Sequence, residues 1–172
     1  MKGGSVRKSL FVLLLITSFA LAQTTTHKSA KKGASAKSAA SAPTVSTPDS
    51  IKWGDPPPIL EPGAQFAVLS GNPTAAGPYV IRLKMPDGYK VMPHWHPTTE
   101  NVTVVSGEFH VGMGDKFEES GMHAMPAGSF VAMPPHMHHY AVAKGETVVQ
   151  VHGQGPFKLT YVNPSDNPAK KK

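Results

Sequence analysis

The chain has 172 residues, no cysteine and a formal net charge of +6. That length suits one domain rather than two, and the missing cysteines exclude disulfide staples, thiolate metal sites and a lipid-modified cysteine. The charge points to nucleic acid or membrane only until it is located. Asp49 to Asp166 holds all 11 acidic residues against seven Lys or Arg, a net −4, and the basic excess sits at the two ends, so no specific nucleic-acid site is expected.

At the start, Lys2, Arg7 and Lys8 precede an apolar run from Leu10 to Ile16, and Ala20-Leu21-Ala22 places small residues before Gln23. This is the pattern of a secretory signal peptide over 1–22, and its apolar run is too short to span a bilayer. The expected location is secreted or periplasmic, with no transmembrane segment after cleavage. Residues 23–48 are almost wholly Thr, Ser, Ala and Lys, with no aromatic residue and one isolated valine. Such a stretch cannot offset its ordering entropy by burial, so a disordered tether is expected, and His27 within it has no role. Residues 49–165 are expected to fold and 166–172 to form a basic tail, with Lys170 to Lys172 disordered.

Asp55-Pro56-Pro57-Pro58 reads as an extended polyproline arm lying on the domain or on a partner. From there, short apolar alternations are separated by Gly and Pro every eight to twelve residues or so, the all-β pattern of sandwiches and barrels. The expected strands are 65–69, 79–85, 90–94, 100–105, 108–113, 123–126, 130–133, 138–143, 147–152 and 158–161. Turn signals fall between them, including Ser106-Gly107 and Lys144-Gly145. The polar stretch Gly114 to Gly121 breaks the alternation and reads as an excursion, most simply a solvent loop.

Within this pattern stands His94-Trp95-His96, followed by Glu100 and answered by His139. Side chains alternate along a strand, so residues 94, 96 and 100 share a parity and can all face inward. Two imidazoles and a carboxylate, joined by a third imidazole from another strand, make a mononuclear metal site. These donors suit Mn, Fe, Ni, Zn or Cu. A one-residue shift of register would present His138 instead of His139.

The spacing resembles the two motifs of the cupin superfamily. Gly88, His94, His96, Glu100 and Gly107 fit the first without a gap. Gly128, Pro134 and His139 fit the second, but His136 replaces its glycine and Ala143 its asparagine. The motifs span about a third of the chain, with 20 residues, Glu108 to Ala127, between them. The resemblance implies an all-β fold, a single double-stranded β-helix of the jelly-roll kind, in which His94, His96, Glu100 and His139 meet near the axis around a divalent metal ion. His136 falls where glycine serves a tight turn with positive φ, a region histidine tolerates better than most residues.

Other chemistry has little support. There is no Gly-x-Ser-x-Gly, phosphate loop or nucleotide fingerprint. His110, His123 and His152 could line the cavity as proton shuttles or sit half-buried on backbone partners; His136 is a rim candidate. The methionines from Met85 to Met137 read as core filler. Trp95 faces away from the ligands, towards an exterior sheet or a second copy, so a homodimer is one expected assembly. Glu100, the only carboxylate ligand, can hold the metal or leave it to accept a proton, which makes it the candidate catalytic residue. The expected function is an exported metal-dependent enzyme of oxygenase, isomerase or lyase type acting on a small organic molecule. The alternative is a non-catalytic domain that binds or senses a small ligand or metal.

Overall fold

The computed structural model describes residues 43–171. The expected signal peptide, 1–22, and residues 23–42 of the expected tether lie outside the described residues, and residues 43–48 are exposed. Eight strands follow in chain order: β1 (Gln65–Gly71), β2 (Gly77–Met85), β3 (Lys90–Trp95), β4 (Glu100–Met113), β5 (His123–Pro126), β6 (Phe130–Met133), β7 (His139–Gly155) and β8 (Thr160–Tyr161). Among the described residues, no helix is long and apolar enough to cross a membrane.

Every pairing is antiparallel. The order β1-β2-β7-β3-β8 forms one path, and β4 pairs with β5, β6 and β7. The spine is β4 beside β7, in register from Glu100↔Gly153 to Met113↔His139. Two expected turns are corrected here. Ser106-Gly107 and Lys144-Gly145 do not reverse the chain but bend β4 and β7 together, so ten expected strands become eight. Gly107 and Gly145 hold φ of 78° and 72°, and register shifts flank Ser106. The bend lets one long strand pass round the corner of a barrel. Buried Thr147 repairs the broken ladder: its hydroxyl donates to the Glu108 and Gly145 carbonyls and accepts from Glu108 N–H.

Alternation along β2 drives Tyr79, Ile81, Leu83 and Met85 inward. They meet Val102, Val104, Phe109 and Val111 of β4 and Val149 and Val151 of β7, so the core fills the barrel interior. This is the jelly-roll barrel expected from the resemblance. Leu60 and Ala64 close it from the polyproline side, where Gly54 bridges to Phe66 and covers the β1 edge.

The excursion at 114–121 is more than a solvent loop. Glu119 is held between Lys90 and Lys144, each at 3.0 Å. The Tyr140 hydroxyl donates to the Glu118 carbonyl, and Lys90 lies 4.6 Å above the Phe117 ring. The Tyr140 ring lies over Gly112, where any Cβ would meet it at 2.2 Å. This cover accounts for the unbroken burial from His139 to Ala143, which an alternating strand does not show. Towards the C-terminus, Lys170 and Lys171 of the expected disordered tail belong to a defined segment, and Lys172 lies outside the described residues. Asn163 and Asn167 cap short 3-10 turns at Pro164–Asp166 and Pro168–Lys170. Pro168 is buried, and Lys171 reaches Glu61 at 2.7 Å.

Candidate metal centre

β3 carries His94 and delivers His96 immediately beyond its end. Pro97 has no N–H with which to continue the ladder, and the chain turns through Thr98 and Thr99 into β4, which opens on Glu100. His94 and Glu100 therefore sit on two strands, not one. Their common inward direction comes from the turn, whereas the expectation had used a single parity for both. A bulge intervenes as well: β3 shifts register against β7 between Val91 and His94, so both face the interior although they are three residues apart. His94 pairs directly with His139, the first residue of β7.

The structure brings His94, His96 and His139 together: one ring nitrogen from each lies within 4.8 Å of the others, and all three residues are buried. Each Nδ1 meets a backbone carbonyl, His94 at Met92 (2.7 Å), His96 at Lys158 (2.7 Å) and His139 at Met137 (2.9 Å). A carbonyl only accepts, so each Nδ1 donates its proton and each Nε2 is left as a lone pair in the neutral ring. The Nε2 atoms of His96 and His139 are buried without a partner. Glu100, 9% exposed, places Oε1 3.5 Å from His96 Nε2 and Oε2 3.3 Å from His139 Nε2.

Burial, then the neighbouring His139 and His96, lowers the pKa of His94 to about 3. Burial also lowers that of His96, partly opposed by Glu100. Burial pushes the Glu100 carboxyl up, but His96 and then His139 outweigh it and hold the group down at about 2. At neutral pH the Glu100 carboxylate thus stands beside His94 and His96 rings that carry no proton on Nε2. Lone pairs facing lone pairs in a buried pocket repel unless a cation or the protons of a water lie between them. The spacing suits one: donors about 2.1 Å from a tetrahedral ion stand about 3.4 Å apart. Carbonyls that orient the rings from behind are the usual supporting shell of metal-ligating histidines. The residues present fit a divalent metal held by the three imidazoles.

Chemistry and fold meet in one family. A family model described as the ChrR cupin-like domain matches residues 41–158, more than half of the chain. The chain belongs to this cupin family. No curated protein matches it. Among solved structures it is similar to an RmlC-like cupin from Shewanella frigidimarina (21% identity, TM-score 0.51, covering 66% of this chain and 91% of that one). It is also similar to the polyketide cyclase RemF from Streptomyces resistomycificus (16% identity, TM-score 0.57, covering 73% and 89%). At these identities the likeness is one of fold.

The remaining candidates of the cupin barrel fall elsewhere. His138 turns away from the centre, with Nδ1 2.6 Å from Asp115 on the surface. His110, His123 and His152 do not line the interior cavity; His110 meets Glu108 and His123 is exposed. Alternation places His110 and His152 on the outer face, whereas His123 shares the parity of buried Met125 but is exposed where β5 begins; of the two readings left open for them, the cavity shuttle is not the one found. His136 has a φ of 62° and is the only non-glycine residue with positive φ among the described residues. Its N–H donates to the His96 carbonyl at 2.8 Å and its ring stacks on Trp95 at 4.8 Å. Trp95 thus has a partner in its own chain. Met85, Met125 and Met133 are core, but Met113 and Met137 are exposed, which corrects their assignment as filler. Phe157, which the sequence did not mark, packs 5.4 Å from the His96 ring. Its sequence signal is weak, an isolated aromatic between a proline and a lysine.

The cavity below the centre measures about 50 Å³, and its only polar lining groups are His94, Glu100 and His139. It has room for a few waters at roughly 10–15 Å³ each.

Proposed function

We propose that this cupin is an exported mononuclear metalloprotein in which His94, His96, His139 and Glu100 hold one divalent ion, and that it is an enzyme acting on a small organic molecule. The observation that carries the reading is the convergence of three backbone-oriented imidazoles on one another, two of them facing a buried carboxylate. A divalent ion bound there supplies a Lewis acid with room for a further ligand. The chain itself contributes orientation through the Met92, Lys158 and Met137 carbonyls. Its apolar walls exclude water, and Glu100 can accept a proton from a bound molecule. That the fold carries catalysis elsewhere is seen in the name of RemF, a polyketide cyclase. Export rests on the signal pattern of residues 1–22.

A second reading, a domain that holds a metal or small ligand without turning it over, draws support from the cavity. At about 50 Å³ it admits no more than a very small molecule behind the metal. Elemental analysis of the protein purified from its own compartment, then a small-molecule turnover screen of that metal form beside His96→Ala, separates the two. Stoichiometric metal with turnover lost in the variant supports the enzyme. Stoichiometric metal with ligand binding and no turnover supports the holding domain, and absence of metal overturns both.

A further inference from the structure

Three neighbouring strands place Tyr79, Gly153 and Glu100 in one row. Tyr79 of β2 pairs with Gly153 of β7, and Gly153 pairs with Glu100 of β4. Residues opposite one another in adjacent strands point to the same face, and Tyr79 and Glu100 are both buried. Between them the sheet has no side chain. A Cβ added at Gly153 would stand 3.0 Å from the Tyr79 hydroxyl and 3.4 Å from its ring carbon Cζ. The phenol therefore lies across the glycine, over a strand spacing of about 4.8 Å, with its hydroxyl on the Glu100 side. The electrostatics agree: burial first, then the Glu100 charge, pushes the Tyr79 pKa up to about 12, so the group stays a phenol with a proton to donate.

Tyr89, Tyr140 and Tyr161 each donate to a backbone carbonyl. Tyr79 alone among the described tyrosines has no hydrogen-bond partner. Its ring is buried while its hydroxyl reaches solvent at the tip, so a water rather than a protein group can complete it. Tyr79, Thr99 and Gly153 also line an open groove of about 490 Å³, from which water can reach the row. Glycine inside a strand is otherwise a weakness, and here it makes the close approach feasible.

We propose that Tyr79 is a positioning residue for Glu100, its hydroxyl donating to the carboxylate through one water and fixing which oxygen faces the imidazoles. This rests on the reading of Glu100 as fourth ligand and extends the centre to a strand that carries none of its ligands. Carboxylates that hold a metal are themselves hydrogen-bonded, and loss of such a partner typically costs about 10–100-fold in affinity.

The test uses the full chain and Co(II) as probe, in wild type, Tyr79→Phe, Glu100→Gln and the double variant. Chelator competition gives the dissociation constants, and the visible spectrum reports the ligand field. Tyr79→Phe is expected to leave the metal-free melting temperature unchanged, to weaken Co(II) about 10-fold and to shift the visible band. In the Glu100→Gln background it should have no further effect. Gly153→Ala presses on the phenol and on the Thr99 carbonyl alike, each at 3.0 Å, so its weakening supports the proposal only if it is absent when Tyr79 is also replaced, by Phe or, should that misfold, by Leu. Unchanged affinity and spectrum in Tyr79→Phe, with Glu100→Gln much weakened, would overturn the role of Tyr79 and leave Glu100 a ligand. Wild-type affinity in Glu100→Gln would overturn the ligand reading itself. Equal losses from Tyr79→Phe in both backgrounds would show that the tyrosine acts through packing alone, and would also overturn the proposal.

Discussion

At the scale of single residues, burial keeps two of the centre's bases, His94 and His96, neutral. His94 has a pKa of about 3 in the native state and an ordinary value of 6.5 when unfolded. The unfolded chain therefore binds a proton that the native one refuses, and native stability falls as pH drops through this window. From His94 alone the slope is about 1.4 kcal/mol per pH unit below pH 6.5, continuing towards pH 3. His96 adds in the same sense, and Glu100 adds its share only below its ordinary 4.5. Urea midpoints of the metal-free protein should drop steadily between about pH 7 and about pH 5, and a flat profile would contradict the buried neutral imidazoles. His96→Ala removes a donor and leaves the Lys158 carbonyl without its partner. It should weaken metal by at least about 100-fold while costing about 1–3 kcal/mol of stability, as read by calorimetry with and without metal.

At the scale of elements, the centre depends on where strands bend and end. The bulge between Val91 and His94 turns both inward, and Pro97 follows the end of β3 so that Glu100 can come from β4. The bends in β4 and β7 depend on Thr147, whose hydroxyl stands in for missing ladder bonds. Thr147→Val keeps the shape and deletes that hydroxyl, leaving the Glu108 N–H and carbonyl short of a partner. The expected cost is about 1–3 kcal/mol in chemical denaturation, with the metal site intact. An unchanged midpoint would mean that water replaces the hydroxyl at the bend. Gly112→Ala should be worse than most glycine substitutions in strands, because its methyl strikes the Tyr140 ring that anchors the 114–121 cover. Faster proteolysis within 114–121 would report the loosened cover.

At the scale of the molecule, the four proposed ligands come from β3, its following turn, β4 and β7, and only the closed barrel assembles them. Metal should therefore stabilise the folded state by mass action, by about 2.7 kcal/mol when free metal is 100 times the dissociation constant. Equal melting of metal-free and loaded protein at neutral pH would defeat the metalloprotein reading. Residues 43–48, the described end of the tether, are exposed. Deleting residues 23–48 should leave the melting temperature of the barrel unchanged while removing four lysines. A large loss would show that this basic segment docks.

The sequence by itself determined the period-two alternation, hence an all-β fold, and the spacing of His94, His96, Glu100 and His139 around the cupin motifs. Those are local properties: strand alternation and glycine turns are written in neighbouring residues, and His136 occupies a glycine position with the positive φ that the position asks for. Tertiary structure alone decided the rest. Ser106-Gly107 and Lys144-Gly145 look like hairpin turns in one dimension, but facing each other across β4 and β7 they become a shared bend, because both strands remain paired through the barrel corner. The exposed stretch 114–121 became a cover because Lys90, Tyr140 and Lys144 meet it from distant parts of the chain. That His139 rather than His138 faces the centre, and that Tyr79 lies across Gly153 towards Glu100, are facts of register. Register is set by the pairing of whole strands, and no window along one of them contains it.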